Sequence, residues 1–368
     1  MKAPLSLIAL AVALASCGQS APHAGSSGGA ARQPAPAASA SAPSRPLIAV
    51  SDEAGAGRTA LSLVTLDGLQ VGHVIVQASD YPWPGVGGGM LTFVDQGQLK
   101  GLTRSGSVET LGSVAGYTAG PVVVSPDGQH WMWGTFSSGS DGTVTSKLML
   151  GSRSSLDRVI EKQTSQQRHL APYRWTGAGP TYEDAALGIG GYIPFFGATG
   201  PSSRFDVDSG KVTTVLGGTS CQFADLAQDL TIACFGADNV LDVLSANGHI
   251  VEVSLPKPTF TFHGAVSFAP GPTATTLVVG GGTGDGANGK PERDQTDVLD
   301  ISSRTLRQLG PDGLRPADGP AAWLPDGSLL AYRPAGAFGG DPGVYVVARD
   351  GSAKKILSSG TALGVITG

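Results

Sequence analysis

The chain is poor in charge, in aromatic residues and in cysteine. Charged residues make up 14% of its 368 positions, and the formal net charge is −5 without any run of cations. We therefore expect no nucleic-acid partner. The six histidines occur singly, without the spacing of metal ligands, so we also expect no metal and no cofactor. No long apolar stripe has the period of a helix, and Ser155–Gln167 is the only arguable helical segment.

Glycine and proline are abundant instead. The chain has 55 glycines and 25 prolines, and short β-branched runs alternate with Gly, Pro, Asp and Asn along most of its length. Glycine and proline punctuate turns, whereas β-branched residues favour strands. This pattern predicts an all-β fold.

The N-terminus has the layout of an export signal. Lys2 precedes an apolar stretch, Ala3–Ser16, which is shorter than the roughly 20 residues that span a bilayer. The stretch ends in Leu14–Cys17, which resembles the lipobox of bacterial lipoproteins. The resemblance implies that residues 1–16 are a signal peptide and that Cys17 is lipidated as the mature N-terminus. An ordinary secretory signal with an incidental cysteine is the alternative.

The segment after the signal is predicted to be a flexible tether. Residues 17–45 are mostly Ala, Ser, Gly and Pro, which bury too little apolar surface to fold. Gly18 stands where an aspartate would favour inner-membrane retention. We therefore expect lipid anchoring to the cell envelope, on the outer membrane facing the periplasm in a two-membraned cell, otherwise on the outer face of the plasma membrane.

The remaining residues, 46–368, contain a repeat. Pro121–Trp133 and Ala321–Tyr332 each read as an apolar strand, a Pro-Asp-Gly turn and a second apolar strand. Weaker copies are Phe223–Ala233 and Ser267–Val279, and further hairpins follow each copy. Pro, Asp and Gly each suit one position of a tight turn. Two hairpins recurring every ~40 to 55 residues predict four-stranded propeller blades.

These hairpins resemble those of the TolB-like, WD-type β-propellers. Ser125–Gly128 carries the Ser-Pro-Asp-Gly motif, and the resemblance covers residues 46–368. It implies a single β-propeller of four-stranded blades, and a binding platform more readily than a reaction. Counting hairpins predicts about seven blades, closed by the C-terminal strand Ala362–Thr367, which would complete the first blade. Six or eight blades are the alternatives.

Two cysteines flank one of the turns. Cys221 and Cys234 would lie directly opposite each other if Ala227-Gln228 formed a two-residue loop. Because the compartment outside the cytoplasm is oxidising, we predict a structural disulfide between them. The alternative is two buried thiols, since a bulged turn would shift the register by one residue and separate them.

Long, glycine-rich loops join the second and third strands of several predicted blades. Because these loops should gather on one face, we expect a ligand there. The candidate binding residues are Glu53, Arg58, Asp141, Asp285, Lys290, Arg293, Asp294, Phe338 and Asp341. The alternatives are solvated insertions without a function, or calcium binding by Asp285, Glu292 and Asp294.

The function that follows is a membrane-anchored binding module. We expect a monomeric, non-catalytic scaffold that binds a protein or a polysaccharide of the envelope, and no catalytic residue is predicted. The alternative is a propeller enzyme of the envelope with its site at the axis, such as a hydrolase, a lactonase or a quinone-dependent dehydrogenase.

Overall fold

A computed structural model describes most of the chain from residue 45 onward. The described residues are 45–77, 84–117, 120–154, 157–166, 168–186, 202–216, 222–235, 240–245, 250–255, 262–271, 273–282, 294–317, 322–336 and 339–367. All of them belong to one compact unit, Pro43–Gly368. The predicted signal peptide, Cys17 and the tether up to residue 44 lie outside the described residues.

The described residues form 28 β-strands in seven four-stranded sheets, without an α-helix. Sheet 1 contains β28 (Thr361–Ile366), β1 (Leu47–Glu53), β2 (Arg58–Thr65) and β3 (Gln70–Gln77). Sheet 2 contains β4 (Gly85–Gly87), β5 (Met90–Asp95), β6 (Gln98–Leu102) and β7 (Val108–Ser113). Sheet 3 contains β8 (Val123–Val124), β9 (His130–Ser138), β10 (Val144–Ser152) and β11 (Arg158–Ser165).

The other sixteen strands form sheets 4 to 7, and each of these sheets consists of four strands that are consecutive in the chain. Sheet 4 contains β12 (Arg168–Thr176), β13 (Gly179–Ala186), β14 (Ser202–Phe205) and β15 (Val212–Leu216). Sheet 5 contains β16 (Gln222–Leu226), β17 (Ile232–Phe235), β18 (Val240–Leu244) and β19 (Ile250–Ser254). Sheet 6 contains β20 (Phe262–Phe268), β21 (Thr276–Gly282), β22 (Asp294–Asp300) and β23 (Thr305–Gln308), and sheet 7 contains β24 (Arg315–Pro316), β25 (Leu329–Arg333), β26 (Gly343–Val347) and β27 (Ala353–Leu357).

Every sheet is antiparallel, and sheets 2 to 7 are meanders of consecutive strands. The sheets together form a β-propeller of four-stranded blades. The all-β prediction is therefore confirmed. The C-terminal strand β28 pairs with β1, so that Leu47 lies opposite Ile366, and β25 of sheet 7 also contacts β28. Arg104 of sheet 2 donates hydrogen bonds to the carbonyl oxygens of Arg45 and Ile366, and so holds both ends of the described chain. The prediction of a possible helix at Ser155–Gln167 is wrong, because the central residues of this segment form strand β11.

Neighbouring sheets bury apolar side chains between them. Leu111 of sheet 2 packs with Trp131 and Trp133 of sheet 3 in one such cluster. The two indole nitrogens donate hydrogen bonds to the carbonyl oxygens of Ser113 and Ala115, each at 3.2 Å. These bonds satisfy the polar atom of each buried ring and fix its orientation. The described residues contain no helix with the length and apolarity needed to cross a bilayer.

Both Pro-Asp-Gly turns form as the sequence predicts. Asp127 and Asp326 each accept, through Oδ1, the backbone N–H of the residue two positions on, at 3.0 and 2.8 Å. Gly128 and Gly327 follow them with φ angles of 67° and 80°. A residue with a Cβ is strained in this left-handed region, so glycine is the favoured residue at both positions.

The third copy of the turn closes with a leucine in the place of glycine. The backbone N–H of Ala227 donates to the carbonyl oxygen of Thr231 at 2.8 Å, and Leu230 has a φ angle of 65°. The loop is therefore longer than the predicted two-residue loop, and Phe223 lies opposite Cys234. The expected register, with Cys221 opposite Cys234, is wrong.

The cysteine pairing itself stays a prediction. Cys234 has no exposed surface and is disulfide-bonded. Cys221 and Cys17, which are the other two cysteines of the chain, lie outside the described residues.

A buried polar network ties three sheets together around Asp225 of sheet 5. Its carboxylate accepts hydrogen bonds from the Tyr173 hydroxyl and the Arg174 guanidinium of sheet 4. It also accepts the backbone N–H of Phe268 in sheet 6 at 2.7 Å. Asp225 is fully buried and Arg174 is 6% exposed. Removing either partner of a buried charge pair costs about 3–5 kcal/mol, so these two residues fix how the sheets meet.

Candidate functional site

A cleft of about 600 Å³ lies between sheets 6 and 7. We call it the arginine cleft. It is lined by Ala269, Pro270, Thr275, Thr276, Val298, Asp300, Ser303, Thr305, Arg307, Leu309, Trp323, Leu324, Pro325, Gly327 and Arg349. Its polar lining comes from strands and from the connections between them. Thr276, Asp300, Thr305 and Arg307 lie on strands of sheet 6, Thr275 and Ser303 lie in connections of sheet 6, and Arg349 lies in a turn of sheet 7. Binding residues are often found on such connections when a rigid scaffold positions them.

Two guanidinium groups give this cleft its charge. Arg307 lies on the edge strand β23, and Arg349 lies in the turn between β26 and β27. Arg349 lies directly over the Pro-Asp-Gly turn of sheet 7, because a Cβ built at Gly327 would come within 2.6 Å of the guanidinium carbon. Glycine at this position therefore serves both the turn and the packing of Arg349. In the described part of the chain, neither arginine takes part in an ion pair.

The acid of the arginine cleft is engaged in its own turn. Asp300 accepts the backbone N–H of Ser303 at 2.8 Å and the hydroxyls of Ser302 and Ser303 at 2.7 and 2.9 Å, all on Oδ1. These bonds, the Ser303 N–H first, lower the pKa of Asp300 to about 2. The carboxylate therefore stays charged at neutral pH, and the lining residues carry two positive charges and one negative charge.

The floor of the arginine cleft is apolar and rigid. Val298, Leu309, Trp323 and Leu324 are each at least 94% buried, and all belong to the core cluster around sheet 7. The Trp323 indole nitrogen donates to the carbonyl oxygen of Ser267 at 3.3 Å. A floor held by core packing does not need to be ordered when a ligand binds, which reduces the entropic cost of binding.

A second cleft, of about 500 Å³, lies between sheets 3 and 4. We call it the acidic cleft. It is lined by Ser125, Pro126, Asp127, His130, Trp175, Gly177, Ala178, Gly179, Asp206, Val207 and Asp208. The rings of His130 and Trp175 form one wall, with centroids 6.1 Å apart. Among the residues that the structure describes, no group of three or more His, Cys, Asp or Glu side chains is placed to hold a metal ion.

Four of the loop residues predicted to bind a ligand lie in exposed positions. Glu53 ends β1 and Arg58 begins β2, where its guanidinium donates to the carbonyl oxygens of Ala54 and Gly55 at 3.5 Å. Asp141 caps its own loop by accepting the backbone N–H of Thr143 at 3.1 Å, and the hydrogen bonds from Thr143 lower the pKa of Asp141. Asp341 lies 4.0 Å from the Lys355 ammonium. These residues belong to sheets 1, 3 and 7, and within the described part of the chain no hydrogen bond or ion pair joins any two of them.

Asp294 has a different environment from the one expected of a loop ligand. It is the first residue of β22, it is 1% exposed, and its Oδ2 lies 3.0 Å from Nε of Arg315. A buried carboxylate paired in this way joins sheets 6 and 7 and does not meet solvent. The other predicted residues, Asp285, Lys290, Arg293 and Phe338, lie outside the described residues, as does Glu292.

Sequence reasoning missed the two arginines of the cleft. Arg349 lies within a predicted hairpin and Arg307 directly follows one, but the hairpin pattern predicts only a structural repeat. The signal was a cation in or next to a tight turn, at a position where the turn itself needs no charge.

A buried acid in sheet 4 was also missed. Glu183 of β13 is 8% exposed, and within the described residues its Oε2 accepts no hydrogen bond. Burial raises the pKa of Glu183 to about 8, so the side chain is mostly protonated at neutral pH. The available signal was strand alternation, which places Glu183 on the same face as the fully buried Thr181.

No protein-family model matches the chain, and no curated protein matches it significantly. Several solved structures are similar in fold. A putative 6-phosphogluconolactonase of Bacteroides fragilis has a TM-score of 0.53 at 12% identity, over 90% of this chain and 99% of that one. The oligogalacturonate lyase of Vibrio parahaemolyticus has a TM-score of 0.50 at 10% identity, over 83% and 92%. The acylaminoacyl peptidase of Pyrococcus horikoshii has a TM-score of 0.51 at 9% identity, over 84% and 49%.

At these identities the likeness shows the fold alone. It supports the β-propeller that the hairpin repeat predicts. The narrower resemblance to TolB-like propellers and to bacterial lipoproteins stays a prediction.

Proposed function

We propose that the chain is a lipid-anchored, extracytoplasmic propeller of seven blades, closed by its C-terminal strand. The seven four-stranded sheets and the pairing of β28 with β1 support the ring. Closure of this kind leaves only short, protected edges, which suits a protein exposed outside the cytoplasm. The Leu14–Cys17 motif supports the anchor.

The anchor is tested by replacing its cysteine. When the full chain is expressed in a bacterium fed a labelled fatty acid, Cys17 carries the label and the protein fractionates with the membrane. Cys17→Ser is expected to lose both the label and the membrane fraction, because the thioether cannot form on a hydroxyl. An unlabelled wild-type protein would contradict the anchor.

We further propose that the propeller is a binding module for a polymer of the cell envelope. The observation that carries this proposal is the arginine cleft, whose volume of about 600 Å³ lies within the 300–1,000 Å³ range usual for ligand sites. Its rigid apolar floor and polar rim have the composition of such a site. A propeller held to the membrane by the predicted tether can present this cleft to polymers within reach of its anchor.

The binding role is tested by filling the cleft. Thr305 lies on the edge strand β23 and lines the arginine cleft, so Thr305→Trp should fill part of it. We expect the detergent-solubilised full chain to co-sediment with protease-stripped envelope polymer, and the variant to bind at least about tenfold more weakly. Thr213→Trp is the matched control, since Thr213 lies on β15, the edge strand of sheet 4, outside the lining of either cleft.

Two outcomes would contradict this proposal. Wild-type protein that fails to co-sediment with any envelope polymer would remove the binding role. Equal binding by wild type and Thr305→Trp would remove the arginine cleft from it.

An enzyme is the second candidate function, and Glu183 is the observation that favours it. A carboxylic acid held protonated at neutral pH by burial is what a general acid requires. The names of the similar propellers supply two substrates to assay, 6-phosphogluconolactone and oligogalacturonate. Turnover of either by the full chain, lost in Glu183→Gln, would favour the enzyme. Turnover that persists in Glu183→Gln would contradict the role of Glu183 as the general acid.

A further inference from the structure

We propose that the arginine cleft recognises an acidic saccharide. In this inference, Arg307 and Arg349 bind a carboxylate or phosphate of the sugar, and hydroxyl side chains of the rim bind its neutral hydroxyl groups. The inference rests on the proposed binding role and adds the chemical class of the ligand.

The charge of the arginine cleft is the first argument. The chain as a whole has a net charge of −5, yet the residues that line this cleft carry two cations against one carboxylate. That carboxylate belongs to Asp300, whose Oδ1 already accepts three hydrogen bonds from its own turn. The lining therefore keeps one net positive charge. An anionic ligand can supply the missing negative charge.

The choice of arginine is the second argument. A guanidinium presents several N–H donors in one plane, which matches both carboxylate and phosphate oxygens. Arg349 is positioned before any ligand binds, because its guanidinium lies across Gly327. Arg307 lies at an exposed position of the edge strand β23. The contact with Gly327 restricts the Arg349 guanidinium, and a restricted donor loses less entropy on binding than a free side chain.

The hydroxyl groups of the rim are the third argument. Thr275, Thr276, Ser303 and Thr305 all line the arginine cleft. A hydroxyl both donates and accepts hydrogen bonds, so Thr275 and Thr276 can pair with a sugar hydroxyl in either direction. Ser303 and Thr305 already donate to Asp300 and to the Ser303 carbonyl oxygen, so they can pair with a sugar hydroxyl as acceptors. A ligand with one anionic group and several hydroxyls uses both kinds of rim residue, whereas a simple inorganic ion uses only the arginines.

The acidic cleft supplies an internal contrast. Its three carboxylates, Asp127, Asp206 and Asp208, disfavour an anion at a comparable position between two sheets. Anion binding by this protein should therefore depend on the arginine cleft and not on turn-lined clefts in general.

The test measures binding of defined ligands to the detergent-solubilised full chain by titration calorimetry. The probes are a galacturonate oligomer, a glucose oligomer of equal length, inorganic phosphate, and vesicles that contain phosphatidylglycerol. We expect the galacturonate oligomer to bind more tightly than the other three. Arg307→Gln and Arg349→Gln should each weaken that binding by about tenfold, the value of one charge-assisted hydrogen bond.

The control variant is Lys162→Gln, which removes one positive charge from an exposed position on strand β11 of sheet 3. Its affinity for the galacturonate oligomer should equal that of wild type. Arg349→Lys keeps the charge but loses the planar donors, so it should retain only part of the affinity. Because Arg307 and Arg349 are not core residues, both glutamine variants should unfold at the wild-type temperature, which excludes misfolding as the cause.

Several results would overturn the inference. Equal binding of the glucose oligomer, or unchanged binding in both glutamine variants, would show that charge does not select the ligand. Vesicle or phosphate binding without galacturonate binding would assign the arginines to another anion. If Thr305→Trp still weakens binding to envelope polymer in any of these cases, the binding role survives and only the ligand class fails.

Discussion

The arginine cleft and the acidic cleft share one construction and carry opposite charge. Each lies between two neighbouring sheets, and tight turns contribute much of its lining. Each includes residues of a Pro-Asp-Gly turn, around Gly327 in the arginine cleft and around Asp127 in the acidic cleft. The shared turns mean that the backbone alone does not decide what either cleft can bind.

The difference comes from side chains that the turns do not need. Asp127, Asp206 and Asp300 all accept backbone N–H groups in their own turns, so each has a structural reason to be present. Arg307 and Arg349 do not cap their turns in this way. No turn requires a charged residue at these two positions, so the need to bind a ligand can determine their charge. The acidic cleft has no arginine in its lining, which is the difference between the two clefts.

Reversing the charge of the arginine cleft should have the largest effect. In the double variant Arg307→Glu plus Arg349→Glu, the lining would carry only negative charge, as it does in the acidic cleft. We expect affinity for a galacturonate oligomer to fall by more than about hundredfold, because two attractive contacts become repulsive. Titration calorimetry with the full chain measures this affinity. Retained affinity would mean that the ligand lies elsewhere.

The two clefts also differ in the sheets that form their walls. Because of this difference, the stability of the protein should depend on pH. The arginine cleft rests on an apolar floor, whereas sheet 4, beside the acidic cleft, contains the buried Glu183. Its pKa in the folded state, about 8, lies above the ordinary value of 4.5. The unfolded chain therefore binds fewer protons between these values, and stability should fall as pH rises from about 4.5 to 8.

Glu183→Gln should remove this pH dependence. The amide cannot ionise, so the variant should gain several kcal/mol over wild type at pH 8, and much less at pH 4.5. Thermal unfolding across this pH range measures the effect. A wild-type unfolding temperature that does not fall between pH 5 and 8, or a variant that falls as steeply, would show that Glu183 ionises normally in the folded protein.

Much of the fold could be predicted from the sequence because turn chemistry is local. Pro, Asp and Gly in that order specify a turn without help from the rest of the chain, and two clean copies were enough to predict a propeller. The third copy failed because Leu230 occupies the left-handed position that glycine normally fills. Without that marker the loop was assigned two residues, and the register of Cys234 was therefore wrong.

The candidate site could not be predicted in the same way, because it depends on which sheets meet. Arg307 and Arg349 are 42 residues apart in sequence and come together only because sheets 6 and 7 are neighbours. Asp294 is the opposite case: the sequence predicts a ligand-binding residue, but the structure places it in a buried ion pair. Its position after a glycine-rich loop suggested an exposed ligand, but strand β22 begins there and pairs it with Arg315.

Two equivalent glycines sharpen the comparison between the clefts. Gly327→Ala should cost about 1 kcal/mol of stability for its φ of 80°, and it should also weaken anion binding, because the new Cβ would displace the Arg349 guanidinium. Gly128→Ala has the same backbone cost at 67°, but the nearest atom to its Cβ is 3.7 Å away. We therefore expect equal losses in unfolding temperature and a loss of galacturonate affinity in Gly327→Ala alone. Equal affinities would mean that Arg349 binds no anion.

The smallest expected effect tests whether the two clefts act independently. Asp208 lines the acidic cleft in an exposed position, so Asp208→Asn reduces the negative charge there. Because exposed charges are screened beyond about 8 Å at physiological ionic strength, galacturonate affinity should change less than about twofold. The measurement is the same calorimetric titration, repeated at low salt, where screening is weaker. A tenfold gain at physiological salt would show that the anion binds near Asp208, and that the sign of the lining charges does not separate the two clefts.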